Sequence, residues 1–311
     1  MYRHIETLAP YAWFAAFPPK APEPAFWHTK VEDPDKGEIN LTGELRDPGG
    51  ARDLYVLVHG LGGGTDSIYC KRGAAAVAAI GQASLCLALR GADRLGEDFY
   101  NIALKADLEA TMRSPRLAYF ERIFLIGYSM GGYVTMHYAR NPNDERVKAA
   151  AAICTPIDLK DAQLHIDSLS AWIYRKHVLK GLIEIYQNVA KRKPVPNDPA
   201  LVAKVRTMHD WDRLTIAPRY GYDSPEHYYE ALNIRPHLGS LKIPVLHVAS
   251  RRDPVIAPRT IEPFLDAAAA PYELHWADAG GHVNWSRRLD LGLGGTPGLE
   301  GQLFSWFERQ A

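Results

Sequence analysis

The stretch Leu125-Ile-Gly-Tyr-Ser-Met-Gly-Gly132 constrains the fold of this chain more than any other. An apolar strand over 122–128 runs through Gly127-Tyr128-Ser129-Met130-Gly131 straight into a helix over 129–140. That is the context a nucleophile elbow requires. A serine hydroxyl is a poor nucleophile at neutral pH and becomes useful when a tight turn presents it to a neighbouring base. Glycine at 127 and 131 leaves room for that turn, because side chains there would meet the adjoining strand and helix.

Other strand-like runs surround it. Residues 38–44 alternate polar and apolar, as a half-exposed strand does. Residues 53–58, 84–89, 147–154, 243–249 and 272–276 are short apolar runs of the kind buried in a sheet. Helices are expected over 67–80, 101–113 and 299–309. Strands alternating with helices imply a mostly parallel central sheet covered on both faces, an α/β fold. The alternation breaks over 158–238, where Leu169, Trp172, Leu179, Ile183 and Tyr186 keep helical spacing and no strand is evident. A helical insertion of that length reads as a lid over the C-terminal edge of the sheet, with residues 1–157 and 239–311 forming the core. Residues 1–25, rich in proline and aromatics, are expected to lie over the surface as an N-terminal extension.

Composition narrows the chemistry. With 311 residues, 47% of them hydrophobic, the chain can bury a sizeable core. Lys+Arg and Asp+Glu are both 36, which argues against nucleic acid or an anionic membrane as the main partner. The three cysteines Cys70, Cys86 and Cys154 do not suit a disulfide framework, and no Cys/His spacing resembles a zinc site. No signal peptide or bilayer-length apolar run is evident, so a cytoplasmic protein without stable membrane insertion is expected. The aromatic segment 11–17 leaves peripheral contact with a membrane surface open.

Sites on parallel sheets gather at the carboxyl ends of the strands. Ser129 is the candidate nucleophile there. An acid and then a histidine should follow in chain order. Asp253 follows the strand 243–249, and His282 follows the strand 272–276 in Gly280-Gly-His-Val-Asn284. Asp158 and Asp278 also fall near strand ends; Asp278 is too close to His282 in sequence to approach its ring from the required side. His59 is expected to order the glycine loop it precedes, and His247 to be a satisfied core histidine. A tetrahedral intermediate needs two amide donors. They are expected from Met130, just after the nucleophile, and from Leu61 in the loop His59-Gly-Leu-Gly-Gly-Gly64. That loop lacks the lysine–serine/threonine ending of a P-loop and the spacing of a dinucleotide fingerprint.

These residues resemble the α/β-hydrolase superfamily, and within it the YheT-like branch of ester hydrolases. The likeness rests on Leu57–Gly63, Arg90-Gly91, Gly127–Gly132 and Gly280–His282. It also rests on Trp211-Asp-Arg-Leu-Thr-Ile-Ala-Pro-Arg-Tyr-Gly-Tyr222 followed by Tyr228-Tyr229, and covers about residues 38–311. Ile216 stands where the branch usually has threonine, and Tyr100-Asn101 where it often has Tyr-His. The resemblance implies hydrolysis of carboxylic esters, often acyl esters of short to medium chain, by a cofactor-free serine esterase. A thioesterase or acyltransferase with the same triad, or a binding module on a hydrolase scaffold, are the alternatives.

Overall fold

The computed structural model describes residues 2–262 and 271–311. The chain enters its sheet through a hairpin, β1 (Ala25–Asp33) and β2 (Gly37–Arg46), whose turn is held by Asp33 Oδ1 accepting the amides of Asp35 and Lys36, both at 3.0 Å. The apolar runs then form β3 (Asp53–Val58), β4 (Ala83–Ala88), β5 (Arg122–Tyr128), β6 (Val147–Ile153), β7 (Val245–Ser250) and β8 (Tyr272–Ala277). The sheet order is β1-β2-β4-β3-β5-β6-β7-β8. β1 and β2 run antiparallel to each other and β2 antiparallel to β4; the remaining pairs are parallel.

Strands β3, β4 and β7 are buried at every position, as a sheet covered on both faces demands. Successive residues therefore feed two cores. Leu54, Val56 and Val58 point to the face that receives α3 (Ala106–Met112) and α4 (Met130–Ala139), while Tyr55 and Leu57 point to the face covered by α2 (Ile68–Ala79) and the C-terminal helix Leu299–Glu308. The N-terminal segment, expected over the surface, is a helix, α1 (Tyr2–Ala16), with Thr7 and Phe14 buried.

One strand was not anticipated, and two elements start two or more residues later than the sequence reading has them. β1 was not anticipated: it is an edge strand with only Trp27 and Val31 fully inward, so its pattern is weak. α3 begins at Ala106 rather than 101, because the Asn101 side chain accepts the Ala103 amide at 2.9 Å and closes a turn first. β7 begins after Pro244, which has no N–H to give the ladder.

Between β6 and β7 the chain departs from the sheet. It forms α5 (Leu159–Ile166), α6 (Trp172–Ala190), α7 (Pro199–Val202) and α8 (Met208–Trp211), a π-helical turn at Asp212–Ile216, then α9 (Ala217–Tyr220) and α10 (Pro225–Ala231). Asp158 caps α5 through the Asp161 amide at 3.1 Å. A buried ion network ties this insertion to the core. Arg219 reaches Asp98 at 2.6 Å and Asp33 at 3.1 Å, and Arg90, just after β4, reaches Asp107 at 2.7 Å and Asp33 at 2.6 Å. The Arg-Gly after β4 and the Pro-Arg-Tyr of the insertion are thus two halves of one contact. The C-terminal helix, α11 (Leu299–Glu308), closes the other face with Phe304 and Phe307 against Tyr55.

Candidate active site

Ser129 stands between β5 and α4 with φ 54° and ψ −119°, a backbone region that non-glycine residues rarely occupy. The glycines around it are required by contact. A Cβ on Gly127 would strike the backbone of Gly131 and Gly132; one on Gly131 would strike the carbonyl of Val58. The turn is fixed from both sides: the Ser129 amide donates to the Ile153 carbonyl at 2.7 Å, and the Ser129 carbonyl accepts from Thr155 Oγ1 at 3.0 Å. Of the four non-glycine residues with positive φ among those described, three border this site: Ser129, Cys154 and Val283. Such concentration of backbone strain is a property of functional sites.

Asp253 and His282 come together although 29 residues apart. His282 Nδ1 lies 2.8 Å from Asp253 Oδ2. The other oxygen, Oδ1, accepts the amides of Val255 at 2.7 Å and Ile256 at 2.9 Å. The carboxylate, 1% exposed, is therefore held by the backbone on one side and aimed at the imidazole on the other. The rival acids are accounted for. Asp278 is exposed and pairs with Arg251; Asp158 caps α5 and accepts from Asn233 at 3.0 Å. Among the described residues no hydrogen bond joins Ser129 Oγ to His282.

The glycine loop after β3 shows which of its amides is spare. Gly60 donates to Tyr69 Oη at 2.9 Å, Gly62 to Tyr100 Oη at 2.7 Å, Gly63 to the Gly60 carbonyl at 3.1 Å and Gly64 to Ser67 Oγ at 3.2 Å. Leu61 has no acceptor among the described residues. Met130 is the first residue of α4, where a helix leaves its amides without internal partners. His59 orders the loop by bonding: Nδ1 lies 2.8 Å from the Gly60 carbonyl and Nε2 accepts the Leu89 amide at 3.2 Å. Burial pushes its pKa down to about 4, keeping it neutral. His247, buried in β7 and expected to be satisfied, is only half so: Nδ1 meets the Tyr272 hydroxyl at 2.7 Å while Nε2 has no partner among the described residues.

Ser129, Met130 and Leu61 open on one cavity of about 110 Å³. Its wall is completed by α5 (Leu159, Ala162, Ile166), α6 (Val178, Leu182), Trp211 and the Asp253 loop (Val255, Ile256). Among the aromatics of the insertion, Trp211, Tyr228 and Tyr229 line it. Trp172 is 53% exposed, Tyr186 is packed away with its hydroxyl on the Asn197 carbonyl at 2.8 Å, and Tyr222 packs tilted against Tyr228.

Sequence reasoning missed two supports of His282. Thr7 Oγ1, from α1, accepts the His282 amide at 3.0 Å. Cys154 Sγ accepts the Val283 amide at 3.4 Å and lies against the Gly281 carbonyl at 3.8 Å. No local signal marks either residue, because each acts on a residue more than 120 positions away. Cys154, Asp253 and His282 present ligand atoms within 4.8 Å of one another. Burial holds the thiol well above its ordinary range, which opposes the thiolate a zinc ion needs, and Asp253 and His282 already face each other.

A mostly parallel sheet with a strained serine at the end of a central strand, and a carboxylate–imidazole pair after its last two strands, defines the hydrolase class of α/β proteins. The chain belongs to the alpha/beta hydrolase fold family, whose model matches residues 55–284. It is 24% identical over 307 residues to the Escherichia coli protein named "Putative esterase YheT", covering 94% of this chain and 85% of that one. It is 22% identical over 249 residues to a Saccharomyces cerevisiae monoacylglycerol lipase, covering 76% of this chain and 55% of the lipase. The fold is shared with the Pyrococcus furiosus esterase Pf2001 at TM-score 0.54 and 17% identity, over 84% of this chain and 85% of that one. No helix among the described residues is long and apolar enough to cross a membrane.

Proposed function

We propose that the protein is a serine hydrolase of carboxylic acyl esters. The observation that carries this reading is the Asp253–His282 pair, locked at Oδ1 by two amides, on the same sheet edge as Ser129 in its strained turn. Ser129 Oγ attacks the ester carbonyl while His282 Nε2 takes its proton, and Asp253 holds the imidazole and stabilises the imidazolium. The spare amides of Leu61 and Met130 receive the oxyanion. His282 then returns the proton to the leaving alcohol, and water activated by the same ring releases the acid from Ser129. Hydrogen bonds of a serine–histidine pair commonly form only with substrate in place, so the unbonded Ser129 hydroxyl is compatible with this role.

The insertion over 158–238 acts in this scheme as a lid. Its inner face supplies most of the apolar wall opposite Ser129, which suits an acyl chain. A fluorophosphonate probe tests the reading. Labelling of the parent protein, lost in Ser129→Ala, is the expected result; a folded parent that stays unlabelled overturns it.

A further inference from the structure

One carboxyl side chain interrupts the largely apolar wall of the cavity. Asp212 opens the π-helical turn of the insertion, is 8% exposed, and lines the same cavity as Ser129. Single π turns are frequent at functional sites, because they re-aim a side chain out of the helical register. Asp212 Oδ2 accepts the Tyr229 hydroxyl at 2.6 Å. Oδ1 has no protein partner, and no basic group is paired with the carboxyl, among the described residues. The oxygens of the neighbouring tyrosines on the wall already accept backbone amides, and Gln163 is paired elsewhere. Tyr228 Oη accepts the Ile102 amide at 3.2 Å, Tyr100 Oη accepts Gly62, and Gln163 donates to Asp167 at 2.6 Å.

We propose that the Asp212 carboxyl is a hydroxyl-binding subsite of this cavity, so that the preferred substrate is an ester carrying a free hydroxyl on the part buried under the insertion. The inference rests on Ser129 being the reacting group of the cavity. An all-hydrocarbon ligand would seal Oδ1 away from water with nothing to bond, and a buried polar atom left unpaired is costly. A hydroxyl supplies the missing donor. Burial pushes the carboxyl up to about 7, against the Tyr229 hydrogen bond and with help from the nearby Asp167. Near neutrality the group can then either accept from a hydroxyl or donate to one. Sites built to bond a hydroxyl reject the analogue that lacks it far more strongly than apolar pockets reject a change in size. The hydroxyl can sit on the alcohol, as in a glyceride, or on the acyl chain.

The test is a binding titration on Ser129→Ala, which does not turn substrate over, read by the change in tryptophan fluorescence, Trp211 being the tryptophan on the cavity wall. Two matched pairs separate the sources of the hydroxyl: monooctanoylglycerol against propyl octanoate, and ethyl 8-hydroxyoctanoate against ethyl octanoate. The hydroxylated member of one pair should bind roughly tenfold to a hundredfold more tightly. That preference should vanish when Asp212→Leu is added. Equal affinities within both pairs overturn the proposal whatever the variants do, as does a preference that survives Asp212→Leu. Because binding is read without catalysis, a failure here is separate from a failure of fluorophosphonate labelling, which bears on Ser129 alone.

Discussion

Asp253 divides its oxygens: Oδ2 faces His282 Nδ1 at 2.8 Å while Oδ1 accepts the amides of Val255 and Ile256 at 2.7 and 2.9 Å. The two amides hold the carboxylate in place and leave Oδ2 one direction in which to point. Asp253→Asn keeps the shape but presents an amide that can turn its N–H₂ toward the ring and favour the wrong tautomer. Turnover of a p-nitrophenyl ester should fall about 10³–10⁴-fold with little change in KM. A variant within tenfold of the parent would remove Asp253 from the role of orienting acid.

The glycine before and the glycine after the elbow are steric requirements. Gly131→Ala places a methyl group against the Val58 and His59 carbonyls, which are backbone and cannot swing away. It should destabilise the protein by about 3 kcal/mol or more in denaturant unfolding. Gly239→Ala, with open space around the same position, should stay within about 0.5 kcal/mol. Similar losses at both sites would contradict the packing described for the elbow.

Arg219 fastens the insertion to the core. Its Nε and Nη2 lie 3.0 and 2.6 Å from the two oxygens of Asp98, and the side chain is 3% exposed. Arg219→Ala leaves buried Asp98 with only Arg90 Nη1 at 3.3 Å and takes from Asp33 one of its two arginines, and should cost about 3–5 kcal/mol. Arg219→Lys should recover little of it, since one ammonium cannot span both oxygens. Urea unfolding of the three proteins provides the comparison.

Asp212 should leave a mark on the pH dependence of stability. Its folded-state pKa is raised to about 7 by burial, against about 4 in an unfolded chain. The folded protein therefore binds this proton more tightly, and the stability it contributes is complete below about pH 4 and lost as pH rises to about 7. Against Asp212→Asn, the parent should lose on the order of 2–4 kcal/mol across that window, with the difference constant above it. A pH-independent difference in Tm between the two would show that Asp212 titrates normally.

Much of the architecture is written locally. β3, β5 and β6 are continuous apolar runs because both of their faces are covered, and such runs stand out against flanking turns. The elbow is equally legible, since Gly127, Ser129 and Gly131 must be close in sequence to make one turn. β1 and the first turn of α3 were hidden for the opposite reason: an exposed edge strand has few apolar positions to display, and a side-chain turn at Asn101 overrides helical spacing.

The site divides along the same line. Ser129, Asp253 and His282 could be named as candidates from residue type, chain order and their places after strands. Sequence could not choose the acid by contact; the choice among Asp158, Asp253 and Asp278 appears as a 2.8 Å distance only once β7 and β8 lie side by side. Nor could it reveal Thr7 beneath His282, Cys154 against its loop, or Asp212 inside an apolar wall. The alternation of strands and helices, the elbow and the order of the residues after it are legible along the chain, because they follow from short-range sterics and periodic burial. Only the folded chain brings the distant side chains together, because those contacts depend on how helices, the insertion and strand ends, from Thr7 to His282, are placed around one sheet.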